Sequence, residues 1–255
     1  MKKGGFYNEN DQASISLSTV FFLPRIFPVN CYFVEEQDSL TLIDCALPYS
    51  AKAIMQAAET IGKPIGTIVL THAHEDHVGS LDALKQALPQ VPVYLSARDS
   101  RLLEGDLSLD TNEPQTPIRG SVATKLSTRP DVRLQDGDRI GSLLAIAAPG
   151  HTPGSMAFLD TRTQALVAGD ALQIRGGVAV AGQLAPWFPF PAMATWNAEK
   201  ALYSARKLAA LGPSLLAVGH GSFLTNPGPV MNKAIRKAEI QLAKHHPEGG
   251  GNHVT

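Results

Sequence analysis

The sequence predicts an α/β fold, an αββα sandwich of two mixed β-sheets packed face to face with helices on both outer faces. Three observations carry this reading. Short apolar runs of strand length fall into two sets, each followed by stretches with apolar residues at helical spacing. Four of those runs stop at a histidine or an aspartate, three of them through a glycine, and strand ends are where layered α/β folds build sites. The chain has 255 residues, enough to bury a core between two sheets within one domain.

In chain order, residues 1–12 are polar and read as a loose arm, as does the tail 246–255. Ser14 to Leu23 alternates in part and reads as a strand. Asn30 to Val34 and Leu40 to Ile43 read as two more, joined at Gln37-Asp38-Ser39. Ala51 to Ile61 is predicted helical: Ile54, Ala57, Ala58 and Ile61 share a face, and Gly62 with Pro64 supplies the stop. Thr67 to Leu70 is a strand. Leu81, Leu84 and Leu88 mark a helix ending at Pro89, Val91 to Leu95 a strand, and 97–103 a short helix. Residues 105–130, rich in Gly, Pro, Thr and Asp, read as one long loop.

The second half returns to strands. Val132 to Leu134 and Arg139 to Ala147 flank a turn at Asp136-Gly137, and Met156 to Leu159 and Ala165 to Ala168 flank a polar turn. Residues 173–194 form an insertion carrying Trp187, Phe188, Phe190 and several prolines. Thr195 reads as the cap of a helix with Ala198, Leu202, Ala205 and Leu208 on one face, closed by Gly212-Pro213. Leu215 to Val218 is a strand. Asn226 and Pro227 open a last helix with Met231, Ile235, Ala238 and Leu242 on its buried face.

Composition narrows the partners. With 22 basic and 23 acidic residues, the formal net charge is -1, so no basic field for nucleic acid is expected. The two cysteines, Cys31 and Cys45, make no disulfide framework and read as small core residues. The first residues show no secretory signal, and no apolar run reaches the ~18 residues of a membrane span. A cytoplasmic protein acting on a small molecule is the expectation, with no membrane partner.

The chemistry begins at Thr71-His72-Ala73-His74-Glu75-Asp76-His77, directly after a strand. In an extended segment His72, His74 and Asp76 share one face, and His77 turns to a second point nearby. The other strand ends add His151, Asp170 and His220, for seven donors without a thiolate. Such donors suit zinc, and also manganese, iron or cobalt. A structural zinc site closes on four ligands, often cysteines. Seven donors point to an open site for two metals.

The ordered set His72-x-His74-x-Asp76-His77, Gly150-His151-Thr152-Pro153-Gly154-Ser155, Gly169-Asp170 and Gly219-His220 resembles the metallo-β-lactamase-fold superfamily of hydrolases over about residues 14 to 245. The resemblance implies two zinc ions, one on His72, His74 and His151, the other on Asp76, His77 and His220, bridged by Asp170. It places Asp44 behind the ligands as a support; an ordinary turn acid is the alternative. Ser80 departs from the family's more usual glycine.

The resemblance implies metal-dependent hydrolysis of an ester, lactone or thioester by a hydroxide held between the ions, with Asp76 or Asp170 passing a proton to the leaving group. Asp170 stands where β-lactamases of this fold lack a bridging aspartate, which argues against a β-lactam substrate. A glyoxalase-II-like thioesterase carries a large helical C-terminal domain, which is not expected after His220. Acyl-homoserine lactonases carry a tyrosine where this chain has Gln173. A persulfide dioxygenase of the same fold, with one iron, is the alternative of another class. The insertion is the expected substrate wall, through Gln173, Trp187, Phe188 and Phe190, favouring a partly hydrophobic substrate; the alternative is that it packs on the domain or in a homodimer.

Overall fold

A computed structural model describes residues 5–7, 17–22, 27–185 and 187–245. Two mixed β-sheets face each other. One has seven strands, in chain order across the sheet: Gly5–Tyr7, Leu17–Phe22, Val29–Glu35, Leu40–Ile43, Ile65–Val69, Val93–Ser96 and Val132–Leu134. Its first four are antiparallel and the rest join in parallel. The other orders Leu224–Thr225, Leu215–Ala217, Ala165–Val167, Met156–Asp160, Leu143–Ala147 and Arg139–Ile140, antiparallel except between Ala165–Val167 and Leu215–Ala217.

Two-residue periodicity explains the layers. Side chains alternate across a strand, and here both faces are apolar, as expected of sheets covered on both sides. Tyr32, Val34, Ile43 and Val69 of the first sheet meet Leu143, Ala145, Met156, Phe158, Val167 and Ala217 of the second. Their alternates face outward. Cys31, Phe33, Leu42 and Ile68 pack under helices Ala51–Ile61, Leu81–Ala87 and Ala97–Leu103. Ile146, Ala157, Leu166 and Leu216 pack towards Leu208 of helix Ala198–Ala210 and Met231 of helix Gly228–His245. The expected αββα sandwich is the observed one.

Local differences have local causes. Gly5–Tyr7, inside the stretch read as a loose arm, pairs with Thr19–Phe21; the rest of 1–12, and 246–255, lie outside the described residues. Arg139 to Ala147 is a tight hairpin rather than one strand, because Gly141 turns the chain at φ +55° and Leu143 folds back on Ile140. Asn197, not Thr195, caps helix Ala198–Ala210 by accepting from Lys200 N. The last helix begins at Gly228, two residues after Asn226. Helix Ala51–Ile61 ends as read, with Gly62 at φ +84° donating to Ala58 O and Glu59 O.

Backbone hydrogen bonds pin the two sheets to each other at one end. Met156 N donates to Thr71 O at 2.8 Å and Asn30 N to Gly219 O at 3.0 Å. No helix among the described residues is long and apolar enough to cross a membrane.

Phe158 is fully buried between the sheets. Phe158→Ala leaves a cavity there and is expected to cost about 3–5 kcal/mol, read as a fall in the urea midpoint with the slope unchanged.

Candidate metal centre

The seven donors meet at the pinned end of the sandwich. His72 follows strand Ile65–Val69, and His74 precedes the one-turn helix Glu75–Val78. That helix corrects the extended reading: Asp76 and His77 leave from a helical turn, not from a strand face. His151 follows strand Leu143–Ala147, Asp170 sits in the turn Gly169–Ala171, and His220 follows strand Leu215–Ala217. Ligand atoms of His72, His74 and His151 lie within 4.8 Å of one another, as do those of Asp76, His77 and His220, and those of His72, His77 and Asp170. Asp170 reaches both sides: Oδ1 is 3.4 Å from His77 Nε2, and Oδ2 is 3.4 Å from His151 Nε2 and 3.0 Å from His220 Nε2.

Each imidazole is oriented by a bond on its far side. Thr71 Oγ1 donates to Asp44 and so accepts from His72 Nδ1, 3.0 Å away. His74 Nε2 donates to Arg119 O at 2.9 Å. His77 Nδ1 donates to Asp44 Oδ2 at 2.8 Å. Thr195 Oγ1 donates to Pro191 O, leaving a lone pair for His151 Nδ1 at 3.2 Å. His220 Nδ1 donates to Pro28 O at 2.6 Å. These partners take up the outer ring nitrogen of each histidine, so the other nitrogen of all five rings faces inward. His74 Nδ1 and His151 Nε2 then face each other at 3.0 Å. Among the described residues, His72 Nε2, His77 Nε2 and Asp170 Oδ1 are buried without a hydrogen-bond partner.

The electrostatics match. Burial, with the neighbouring histidines, holds His72 well below the ordinary imidazole value, and burial pulls His151 down to about 3. Burial also opposes charge on His77 and His220, but Asp170, with Asp44 and Asp76 beside them, outweighs it and raises both. Against its own burial, Asp170 is held well below the usual carboxylate range by His220 and His77. Inward ring nitrogens and carboxylates crowded together fit divalent cations, and the donor set suits zinc or iron.

Two acids brace this cluster from behind. Asp44, at φ +63°, accepts from Thr71 N at 2.7 Å, Thr71 Oγ1 at 2.8 Å and His77 Nδ1. Asp99 is fully buried, and burial pushes its carboxyl up to about 6 against three donors that pull it down. It accepts from Ala73 N, Thr152 Oγ1 and Gly154 N at 3.0, 2.7 and 2.7 Å, tying the His72–His74 segment to the His151 turn. Asp99 was not legible beforehand: three residues after Ser96, it reads as an ordinary first-turn helix acid. Gly120, at φ +86°, lies where any Cβ would strike the His74 ring, so the long loop rests directly on the centre.

A cleft of about 470 Å³ opens onto His74, Asp76, His151, Asp170 and His220. Phe27, Leu47, Pro48, Phe190 and Met193 form its apolar wall, and Glu75, Gly120 and Ser121 its polar edge. Of the four residues expected to line it, Phe190 does. Phe188 is buried behind, its ring 5.3 Å from those of Phe27, Phe190 and His220. Gln173 is buried in a two-strand ribbon and donates to Phe188 O at 3.3 Å. The turn closed by Phe188 N on Ala185 O leaves Trp187 pointing outward, 85 % exposed. Phe27 was missed because its chain position, far before the motifs, gives no sign of the cleft.

A two-sheet sandwich with a histidine–carboxylate cluster at one end defines the class: an αββα protein built to hold metal. The chain belongs to the metallo-beta-lactamase superfamily, whose family model matches residues 24–220. It is 59% identical over 218 residues to YobT of Bacillus subtilis, a protein of uncharacterized function, covering 86% of this chain and 94% of that one. It is 30% identical to the probable metallo-hydrolase YflN of the same organism, over 84% of this chain and 86% of that one. Among solved structures it is similar to TTHA1623 in a di-iron-bound form, with 30% identity, a TM-score of 0.59, and coverage of 82% and 95%. A likeness in fold alone extends to the DIM-1 metallo-beta-lactamase, at 12% identity, TM-score 0.70 and coverage of 94% and 98%.

Asp44→Asn tolerates the backbone but turns an amide N–H toward Thr71 Oγ1 or His77 Nδ1. His77 is expected to switch tautomer and lose its inward lone pair, visible in long-range ¹H–¹⁵N NMR. Metal retention should fall about 10–100-fold, measured by chelator competition.

Proposed function

We propose that this protein is a dinuclear metal-dependent hydrolase that cleaves an ester, lactone or thioester of a small, partly hydrophobic substrate. The observation that carries this reading is the pair of donor groups joined through Asp170, facing an open cleft. His72, His74 and His151 would hold one cation and Asp76, His77 and His220 the other, with Asp170 between them. Two bound divalent cations would supply an activated water at neutral pH and polarise the scissile carbonyl. The di-iron-bound form of TTHA1623 supports iron, beside zinc, as an occupant of the pair.

The chain's own residues do the rest. Thr71, Arg119, Asp44, Thr195 and Pro28 keep the ring nitrogens aimed, so no side chain must reorganise during reaction. Asp76 lines the cleft, with its side chain 23% exposed, whereas Asp170 is 3% exposed. Asp76 is therefore the better placed of the two to pass a proton to a leaving group. The apolar wall removes water from one side of the substrate and accepts an acyl or aryl group. A hydroxyacylglutathione hydrolase of Gloeobacter violaceus is 29% identical over 147 residues, though the match spans only 49% of its length. It supports thioesters within the substrate range.

Purified protein is expected to carry two equivalents of zinc or iron and to lose activity on a panel of lactones, thioesters and aryl esters when chelated. Asp170→Asn should lower both metal content and turnover, the latter by about 100-fold or more, since it removes the shared carboxylate. One iron per chain with oxygen uptake, or full metal content and activity in Asp170→Asn, would overturn the reading.

A further inference from the structure

The turn that carries His220 leaves the sheet. Strand Leu215–Ala217 ends just before Val218; beyond it Gly219 N donates to Gly169 O, and His220 O accepts from Ile174 N and Arg175 N. The carbonyls of Val218, Gly219 and Gly221 are met instead by the start of strand Val29–Glu35, almost two hundred residues earlier in the chain. Asn30 Nδ2 donates to Val218 O at 2.8 Å and Gly221 O at 2.7 Å, bracketing His220 on both sides. Asn30 N donates to Gly219 O at 3.0 Å. Tyr32 Oη donates to Val218 O at 2.6 Å and accepts from Val218 N at 3.1 Å, standing in for a missing ladder neighbour. Pro28 O takes His220 Nδ1, and the Phe27 ring lies 5.1 Å from the imidazole.

We infer that Asn30 and Tyr32 are positioning residues for the second cation: they fix the Val218–Gly221 turn so that His220 Nε2 meets Asp76 and Asp170. The inference rests on the paired-cation reading above. The chemistry demands these side chains. Two carbonyl oxygens converge on Asn30 Nδ2, so a donor is required there. Both residues are 1–2% exposed, and water does not easily replace the lost donor in such a place. Neither is hydrogen-bonded to the His72, His74 or His151 rings, whose outer bonds go to Thr71, Arg119 and Thr195. A general loss of stability would loosen both halves of the centre. A positioning role loosens one.

Zinc alone, titrated against a chromophoric chelator, separates these cases. Wild-type protein is expected to bind two equivalents. Asn30→Ala should weaken one of them about 10–100-fold and leave the other unchanged. The affected equivalent should be the one that His220→Ala removes. Tyr32→Phe keeps the ring and its packing, and should shift the same equivalent in the same direction by a smaller factor; it serves where Asn30→Ala folds poorly. Cobalt in place of zinc should show an altered visible band for that equivalent alone. Two equivalents in wild type with both variants unchanged, or both equivalents weakened alike, overturns the positioning role only. Fewer than two equivalents in wild type overturns the paired-cation reading, and this inference falls with it.

Discussion

Five imidazole nitrogens and two carboxylates crowded together at the floor of one cleft are the constraint on which this structure depends. Such an arrangement is unfavourable unless positive charge enters it. The chain does not relieve the crowding by letting rings rotate. It gives each ring an outward N–H partner of its own: a threonine hydroxyl for His72 and His151, a backbone carbonyl for His74 and His220, and a carboxylate for His77. A rotated ring would lose a buried hydrogen bond as well as misplace a donor. Orientation is therefore paid for by the surrounding fold, before any cation arrives.

The sandwich makes this possible because it brings two independent sets of strand ends to one rim. His72, His74, Asp76 and His77 come from one sheet, and His151, Asp170 and His220 from the other. Neither set alone forms both donor groups. Bonds between the sheets hold the sets in register: Thr71 O with Met156 N, Asn30 N with Gly219 O, and Asp99 between the Ala73 and Thr152–Gly154 segments. Glycine is required where side chains would intrude. At Gly219 a Cβ would overlap Asp170 Oδ1 and the His77 ring.

The donors were legible in the sequence because their signal is short-range. His72-x-His74-x-Asp76-His77 follows an apolar run directly, and His151, Asp170 and His220 each follow a glycine at a strand end. The layers were legible because the strands are short continuous apolar runs, as sheets covered on both faces require. The supports were not. Asp99, Asn30, Tyr32 and Arg119 act across tens to hundreds of residues, and each looks ordinary where it stands in the chain. Thr195 shows the same limit: three residues before the helical face, it resembles a cap, yet tertiary structure gives its hydroxyl to His151 and the cap to Asn197. The Gly141 hairpin was hidden because a two-residue turn barely interrupts an apolar run.

The cleft follows a different logic from the centre it opens on. Its ligands stand at strand ends, but its walls come from connections: Leu47-Pro48, Gly120-Ser121 and the segment ending in Phe190 and Met193. Loops tolerate exchange of side chains better than sheets do, so the walls can vary more readily than the donor cluster. The long loop is the exception. Arg98 pairs with Glu113, and Arg101 with Asp106 and Asp110, which anchors the loop at its root so that Arg119 O can hold His74 at its tip. A change in that loop therefore acts on the His74 ring and on the cleft edge together, and a change at Phe190 reaches His220 through the Phe27 and Phe188 rings packed between them. Both sides of the cleft thus reach the donor cluster, one through the Arg119 carbonyl on His74 and the other through the rings packed on His220.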